Sequence, residues 1–178
     1  MMRVIILLLT LDVLGVSSVM MEKRLKQKLE GKWRTIYLAA STEDKIKEGS
    51  PLRTYFRLIL CGRNCNQIYL YFFIKKGAKC QEYKVTGRKE QEVYFAEYEG
   101  NNALVLKTVN EKILLFHYFN TNKKNEVTRV AGVLGKGKQL TKEEMTEYMN
   151  LVESIGIEDE KVLRVMDTDN CPSKIKIK

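Results

Sequence analysis

Ala103–Leu134 reads ALVLKTVNEKILLFHYFNTNKKNEVTRVAGVL, three runs of aliphatic, aromatic and β-branched residues separated by two short polar stretches. Ala103–Thr108, Ile113–Phe119 and Val127–Leu134 have the composition of strands, and Asn110–Lys112 and Thr121–Asn125 that of turns. Short turns join antiparallel neighbours, so this stretch predicts a meander. The same texture runs upstream. Trp33–Ala39, Leu52–Leu60, Gln67–Ile74, Gln81–Thr86 and Val93–Tyr98 read as strands. Thr42–Pro51, Gly62–Asn66, Lys75–Ala78, Gly87–Gln91 and Gly100–Asn102 read as the connections. Eight short strands joined mainly by hairpin-length loops predict an all-β chain, an eight-stranded antiparallel up-and-down barrel whose sheet closes on itself and leaves few free edges. A β-sandwich shows the same patterning, and periodicity alone does not separate the two.

After Leu134 the period changes to that of a helix. Thr141 and Glu144 have the spacing of a capping box, Met145, Tyr148, Met149 and Val152 follow at i, i+3, i+4 and i+7, and Gly156 suits a left-handed terminus. One amphipathic helix after eight strands is expected to pack outside the barrel, with the Met and Tyr stripe as its packing face. Ahead of the first strand, Glu22–Glu30 alternates basic residues with Leu25 and Leu29, an i, i+4 pair that predicts a short helical or irregular lid.

The amino terminus reads as a secretory leader over residues 1–18: Arg3, an apolar run from Val4 to Leu11, and small residues Val16 and Ser18 before a cleavage position. The apolar run is too short to span a bilayer. Residues 19–178 then form one domain, because roughly 160 residues bury one good core and not two. Met20-Met21 follow the cleavage position, so translation from either would give nearly the same chain without a leader, with reduced cysteines, in the cytosol or nucleus.

The chain of 178 residues carries a formal charge of +9. That balance favours encounter with acidic surfaces and polyanions. The basic residues come in small groups: Lys23, Arg24, Lys26 and Lys28; Lys75, Lys76 and Lys79; Lys123, Lys124 and Arg129; and Lys174, Lys176 and Lys178. No DNA- or RNA-binding motif accompanies them, so they read as solvated loop charge, with a nonspecific polyanion surface as the alternative. Cys61, Cys65, Cys80 and Cys171 are an even set behind an export signal, which favours two disulfides over zinc. Four cysteines permit three pairings, and spacing does not choose among them. Enzyme chemistry finds no footing. His117 lies in a strand with no partner motif, no glycine pattern fits a dinucleotide site, and Gly135-Lys136-Gly137 lacks the rest of a phosphate loop. No metal or other cofactor is expected.

Gly31-Lys32-Trp33 at the start of the first strand resembles the G-x-W motif of the lipocalins. Cys61-x3-Cys65, Cys80 and Asp169-Asn170-Cys171-Pro172 are similar to the odorant-binding and dander-allergen branch of that family, as is Leu134-Gly135-Lys136-Gly137 ahead of the helix. Gly31 to Pro172 carries the resemblance, and Glu48–Phe56 with the Lys174–Lys178 tail looks like a basic member of the branch. The T-D-Y-like second motif is not kept in Phe119-Asn120-Thr121-Asn122, and with it goes receptor recognition inferred from that motif. The resemblance implies the pairs Cys61–Cys65 and Cys80–Cys171, and a cation, here Lys136, lying across Trp33. It also implies a ligand set of Leu38, Leu52, Thr54, Phe56, Phe72, Asn102, Leu104, Tyr118, Val130, Gly132 and Leu134. Within it Thr54 with Phe56, Asn102 with Leu104, and Val130 with Gly132 and Leu134 keep the two-residue period of one strand face. The ligand should then be a small hydrophobic molecule, with Asn102 and Tyr118 as polar handles for one carbonyl or hydroxyl.

Overall fold

Alternating strands of this composition bury one face, and an antiparallel sheet long enough to curl buries that face against itself. The computed structural model describes residues 20–176 except Glu22; the expected leader and the last two residues lie outside them. The strands are β1 (Gly31–Lys32), β2 (Arg34–Ala40), β3 (Tyr55–Cys61), β4 (Gln67–Lys76), β5 (Lys79–Glu90), β6 (Val93–Glu97), β7 (Asn101–Val109), β8 (Ile113–Thr121), β9 (Val127–Gly135) and β10 (Val162–Arg164). All lie in one antiparallel sheet in the order β1-β3-β4-β5-β6-β7-β8-β9-β2-β10. Residues 31–40 are therefore shared: β1 pairs with β3, β2 pairs with β9, and the sheet closes through that stretch.

The strand count is ten, not eight. The first expected strand is split at Trp33, whose backbone N–H donates to Arg57 O at 3.1 Å between the two ladders. The tenth, β10, pairs with Tyr37–Ala39 on the flank of β2 that β3 leaves free. Three residues are too few for a periodic signal. Several boundaries also differ, two of them informative. Leu52 precedes β3 in a turn, and β5 runs through Gly87 to Glu90 where a turn was expected. Gly87 stays in the ladder opposite Ile68, where a Cβ would come within 3.0 Å of the Ile68 side chain. The glycine marks a close approach inside a strand, not a turn.

Register shifts at Thr35/Tyr37, Phe56/Leu58 and Leu106/Thr108 are bulges, which bend strands and help the sheet to close. The inner face gathers Trp33, Leu38, Phe56, Ile59, Phe72, Leu104, Phe116 and Leu134 into one core. A second, outer core lies between Ile36, Ala39, Ile113, Leu115, Ala131 and Val133 of the sheet and Tyr148, Leu151 and Val152 of α2 (Lys142–Ser154). Each fully buried side chain of this size contributes about 1.5–3 kcal/mol, which is why α2 stays on the wall. Its capping box forms as the sequence predicts: Glu144 N donates to Thr141 Oγ1 and Thr141 N to Glu144 Oε2. Gly156 takes φ +69° and ends the helix.

Helical residues 23–29, here α1, close one end of the barrel. Leu25 and Leu29 face the inner core, and Trp33 Nε1 donates to Leu29 O at 2.8 Å. Loops 62–66, 110–112 and 136–138 lie at the same end, and loops 41–54, 77–78, 98–100 and 122–126 at the opposite one. Disulfides join Cys61 to Cys65 and Cys80 to Cys171. The second fastens the C-terminal segment to the wall, beside a buried ion pair in which Arg57 grips Asp169 with both guanidinium nitrogens at 2.6 and 2.9 Å. Arg34 adds a second cation to Asp169 at 2.8 Å.

Candidate functional site

The inward rows of β3 to β9 converge on a cavity of about 70 Å³. Thr54, Phe56, Ile59, Leu70, Phe72, Val85, Ala96, Tyr98, Asn102, Leu104, Leu106, Leu114, Phe116, Tyr118 and Leu134 make its wall. None of these carries a charge, and none is a histidine or cysteine. The aromatic rings touch in series: Phe56 lies 5.4 Å from Phe72 and 6.2 Å from Phe116, Tyr98 stands edge-on to Phe72 at 5.1 Å, and Phe116 stacks on Tyr118 at 6.2 Å. Tilted and edge contacts of this kind contribute about 0.5–1.5 kcal/mol each beyond area burial, so the rings hold one another in place. Drug-sized sites begin near about 300 Å³. A ligand of more than a few heavy atoms therefore needs more room than the cavity offers in this arrangement of its wall.

Seven of the eleven expected ligand residues lie on this wall: Thr54, Phe56, Phe72, Asn102, Leu104, Tyr118 and Leu134. Leu38, Leu52, Val130 and Gly132 do not. Phe116 is the reason at Gly132, where a Cβ would stand 2.3 Å from Phe116 Cζ and 2.9 Å from Leu38 Cδ2. The phenyl ring occupies the space the glycine leaves, and Leu38 packs beside it. Val130 is fully buried in the same core, between Ala40 and Tyr118 in register. Leu52 sits in a turn held by Arg53, which donates to Ile46 O at 2.9 Å and to Tyr55 Oη at 3.1 Å.

The sequence reading missed eight wall residues, and seven of them were within its reach. Leu70, Val85, Ala96, Leu106, Leu114 and Phe116 keep the two-residue period on their strands, and Tyr98 continues that of Ala96 one residue beyond the end of β6. Ile59 does not, because the bulge between Phe56 and Leu58 inserts an extra residue.

The polar groups divide into spent and free. Asn102, expected as a handle, is spent: its Nδ2 donates to Tyr98 O at 2.8 Å and its Oδ1 accepts from Asn120 Nδ2 at 3.0 Å, which closes the 98–100 turn. Tyr98 Oη donates to Pro51 O at 2.8 Å and ties the wall to loop 41–54. Among the described residues the Tyr118 and Thr54 hydroxyls make no side-chain hydrogen bond, and they are the groups left for a ligand. Burial raises the phenols of Tyr98 and Tyr118 well above the ordinary tyrosine range, so the cavity stays uncharged. Tyr94, whose Oη donates to Cys65 O at 2.9 Å near the closed end, is pushed up to about 12 by burial first and Glu92 second.

Gly31 opens β1, and Lys136 Nζ lies 4.9 Å from the centroid of the buried Trp33 ring. His117 faces outward from β8, away from the cavity, in edge contact with Phe119. Among the described residues no cluster of His, Cys, Asp and Glu is fit to hold a metal, and no helix is long and apolar enough to cross a membrane.

A curled antiparallel sheet with an outer helix around an apolar cavity defines a class of small-molecule-binding barrels. The sequence model of the lipocalin / cytosolic fatty-acid binding protein family matches residues 30–169, and the chain belongs to this family. Its relatives include probasin of Mus musculus, 77% identical over 176 residues that cover 99% of both chains, and probasin of Rattus norvegicus, 72% identical over 99% of this chain and 100% of the relative. Among solved structures it is similar to the odorant-binding protein OBP1, with TM-score 0.80 and 31% identity over 82% of this chain and 96% of that one. It is also similar to aphrodisin, described as a sex pheromone from female hamster, with TM-score 0.79 and 34% identity over 81% and 99%.

Proposed function

We propose that this lipocalin is a secreted, non-enzymatic carrier of a small neutral hydrophobic molecule held in the barrel cavity. One observation carries the reading: the cavity wall has aromatic and aliphatic side chains, two free hydroxyls and no charge. Such a wall rewards apolar area and one carbonyl or hydroxyl, and it leaves a carboxylate uncompensated. The names of the odorant-binding and pheromone relatives fit that chemistry. Two disulfides and a leader-like residues 1–18 support export. Initiation at Met20 or Met21 would leave a minor leaderless form inside the cell.

The test is displacement of a fluorescent apolar probe from the purified protein. Neutral odorant-sized alcohols, aldehydes and ketones should displace it saturably at micromolar concentration. Fatty-acid carboxylates of equal chain length should do so at least about ten-fold less well, the cost of an uncompensated charge. No saturable displacement by any neutral ligand would refute the carrier reading.

A further inference from the structure

The cavity wall changes chemistry along the barrel axis. From the closed end outward, β8 presents Leu114, Phe116 and Tyr118, and β7 presents Leu106, Leu104 and Asn102. In the same direction β3 presents Ile59 and Phe56, with Thr54 just before the strand, and β6 presents Ala96, with Tyr98 just after it. Toward the closed end Ile59, Leu70 and Val85 stand opposite one another in register, as do Leu114 and Leu134. That floor is wholly aliphatic. Every wall side chain with a polar atom lies on the other side, toward loops 41–54 and 98–100, and these four strands repeat the order independently. Tyr98 spends its hydroxyl on Pro51 O, and Asn102 spends its amide on Tyr98 O and Asn120. The hydroxyls of Thr54 and Tyr118 remain, both on the side away from the floor.

We infer that the cavity takes its ligand in one direction, and that the ligand is an unbranched aliphatic chain whose single carbonyl or hydroxyl lies at or next to one end. The chain points into the aliphatic floor, and its polar head lies at Thr54 and Tyr118. This inference rests on the carrier reading and narrows it. A polar group carried down among Ile59, Leu114 and Leu134 loses its hydration and finds no partner. A polar group at mid-chain, level with the rings of Phe56, Phe72 and Phe116, meets the same cost; a terminal one does not. The cavity of about 70 Å³ also favours the unbranched shape, because a single chain asks less extra room across the barrel axis than a fused ring system of equal carbon number.

Methyl heptyl ketone and dibutyl ketone have the same composition and differ only in where the carbonyl lies. In displacement of the apolar probe from the purified protein, the methyl ketone should bind at least about five-fold more tightly than its symmetrical isomer, whose oxygen is left unpartnered. In the double variant Thr54→Val/Tyr118→Phe that preference should shrink to within about two-fold. Both ketones are measured on the same protein, so a general loss of folding lowers both affinities alike and leaves their ratio readable. The direction of binding is read on the parent by nuclear Overhauser contacts with bound nonanol. Its terminal methyl should meet the methyls of Leu114 and Leu134, and the methylene beside its hydroxyl should meet the Tyr118 ring. Equal affinity of the two ketones, a preference unchanged in the double variant, or a chain bound in the reverse direction overturns this inference and leaves the carrier reading standing. Failure of all these neutral ligands to displace the probe removes both.

Discussion

Gly132 and Phe116 set the inner contour of the barrel as one unit. A glycine on β9 leaves a gap in the inner wall, and the Phe116 ring from β8 fills it while its other face looks into the cavity. Gly132→Ala would set a methyl within 2.3 Å of that ring. The ring is the far end of a side chain with empty cavity beside it, so it yields toward the ligand space. Overpacking of this kind costs about 1–3 kcal/mol. The expected outcome is a stability loss in that range by denaturant titration, together with weaker apolar-probe binding because the ring has moved into the site. A variant that loses stability but keeps full probe affinity would show the ring moving elsewhere. A destabilised variant with the added mutation Phe116→Leu should recover part of the loss, since the smaller side chain relieves the clash.

At the scale of elements, the C-terminal segment is held by two different physical devices at nearly the same place. The Cys80–Cys171 bond closes 91 residues of sequence, which in the chain-entropy view contributes about 4 kcal/mol by restricting the unfolded chain. Two residues earlier Asp169, its side chain fully buried, accepts from Arg57, whose side chain is 2% exposed. Arg57 also donates to Cys171 O and Pro172 O, so the pair and the bond secure one another. Asp169→Asn strands a buried guanidinium and should cost about 3–5 kcal/mol. Replacing both Cys80 and Cys171 by serine should cost about 4 kcal/mol. The two losses should not add: once the segment is released from the wall, Asp169 has already left Arg57. The combined variant is therefore expected to be more stable than the sum predicts, and strict additivity would mean the two fastenings act on independent parts of the fold.

Across the whole molecule, the response of stability to mild acid should come from a single side chain. His117 is the one histidine of the chain, 8% exposed, and its Nδ1 has no hydrogen-bond partner among the described residues. Burial first, and the Lys107 charge second, hold its pKa below the ordinary imidazole value. The unfolded chain then takes up the proton first as pH falls through about 6.5. More protons on the unfolded state mean that stability rises with pH, so it should be fully present above that value and decline as pH falls toward the folded pKa. Denaturant midpoints measured from pH 7.5 to 5 should show this slope in the parent and lose it in His117→Gln. A slope that survives the substitution would place the titrating group elsewhere.

The sequence by itself determined the run of antiparallel strands, the outer helix and seven of the fifteen residues of the cavity wall. Alternation along Ile113–Phe119 and Val127–Leu134 assigns a face to each residue, because the two-residue period of a strand is fixed by backbone geometry and no bulge interrupts these runs. The capping box at Thr141 and Glu144 and the left-handed Gly156 are equally local, which is why they were legible. What only the tertiary structure decided depends on contacts between distant residues. The bulge after Phe56 moves Ile59 onto the cavity wall against the period, since an inserted residue resets the alternation. Trp33 divides one strand into two because its backbone bonds to Arg57 across the closure. Asn102 bears the expected polar group, yet neighbouring carbonyls and Asn120 consume it. The lysines read as separate groups along the chain, and only the closing of the barrel brings Lys136 beside Lys112, its N–H donating to Lys112 O at 3.0 Å. Composition fixes how much charge a chain carries; the path of the backbone fixes where that charge is concentrated.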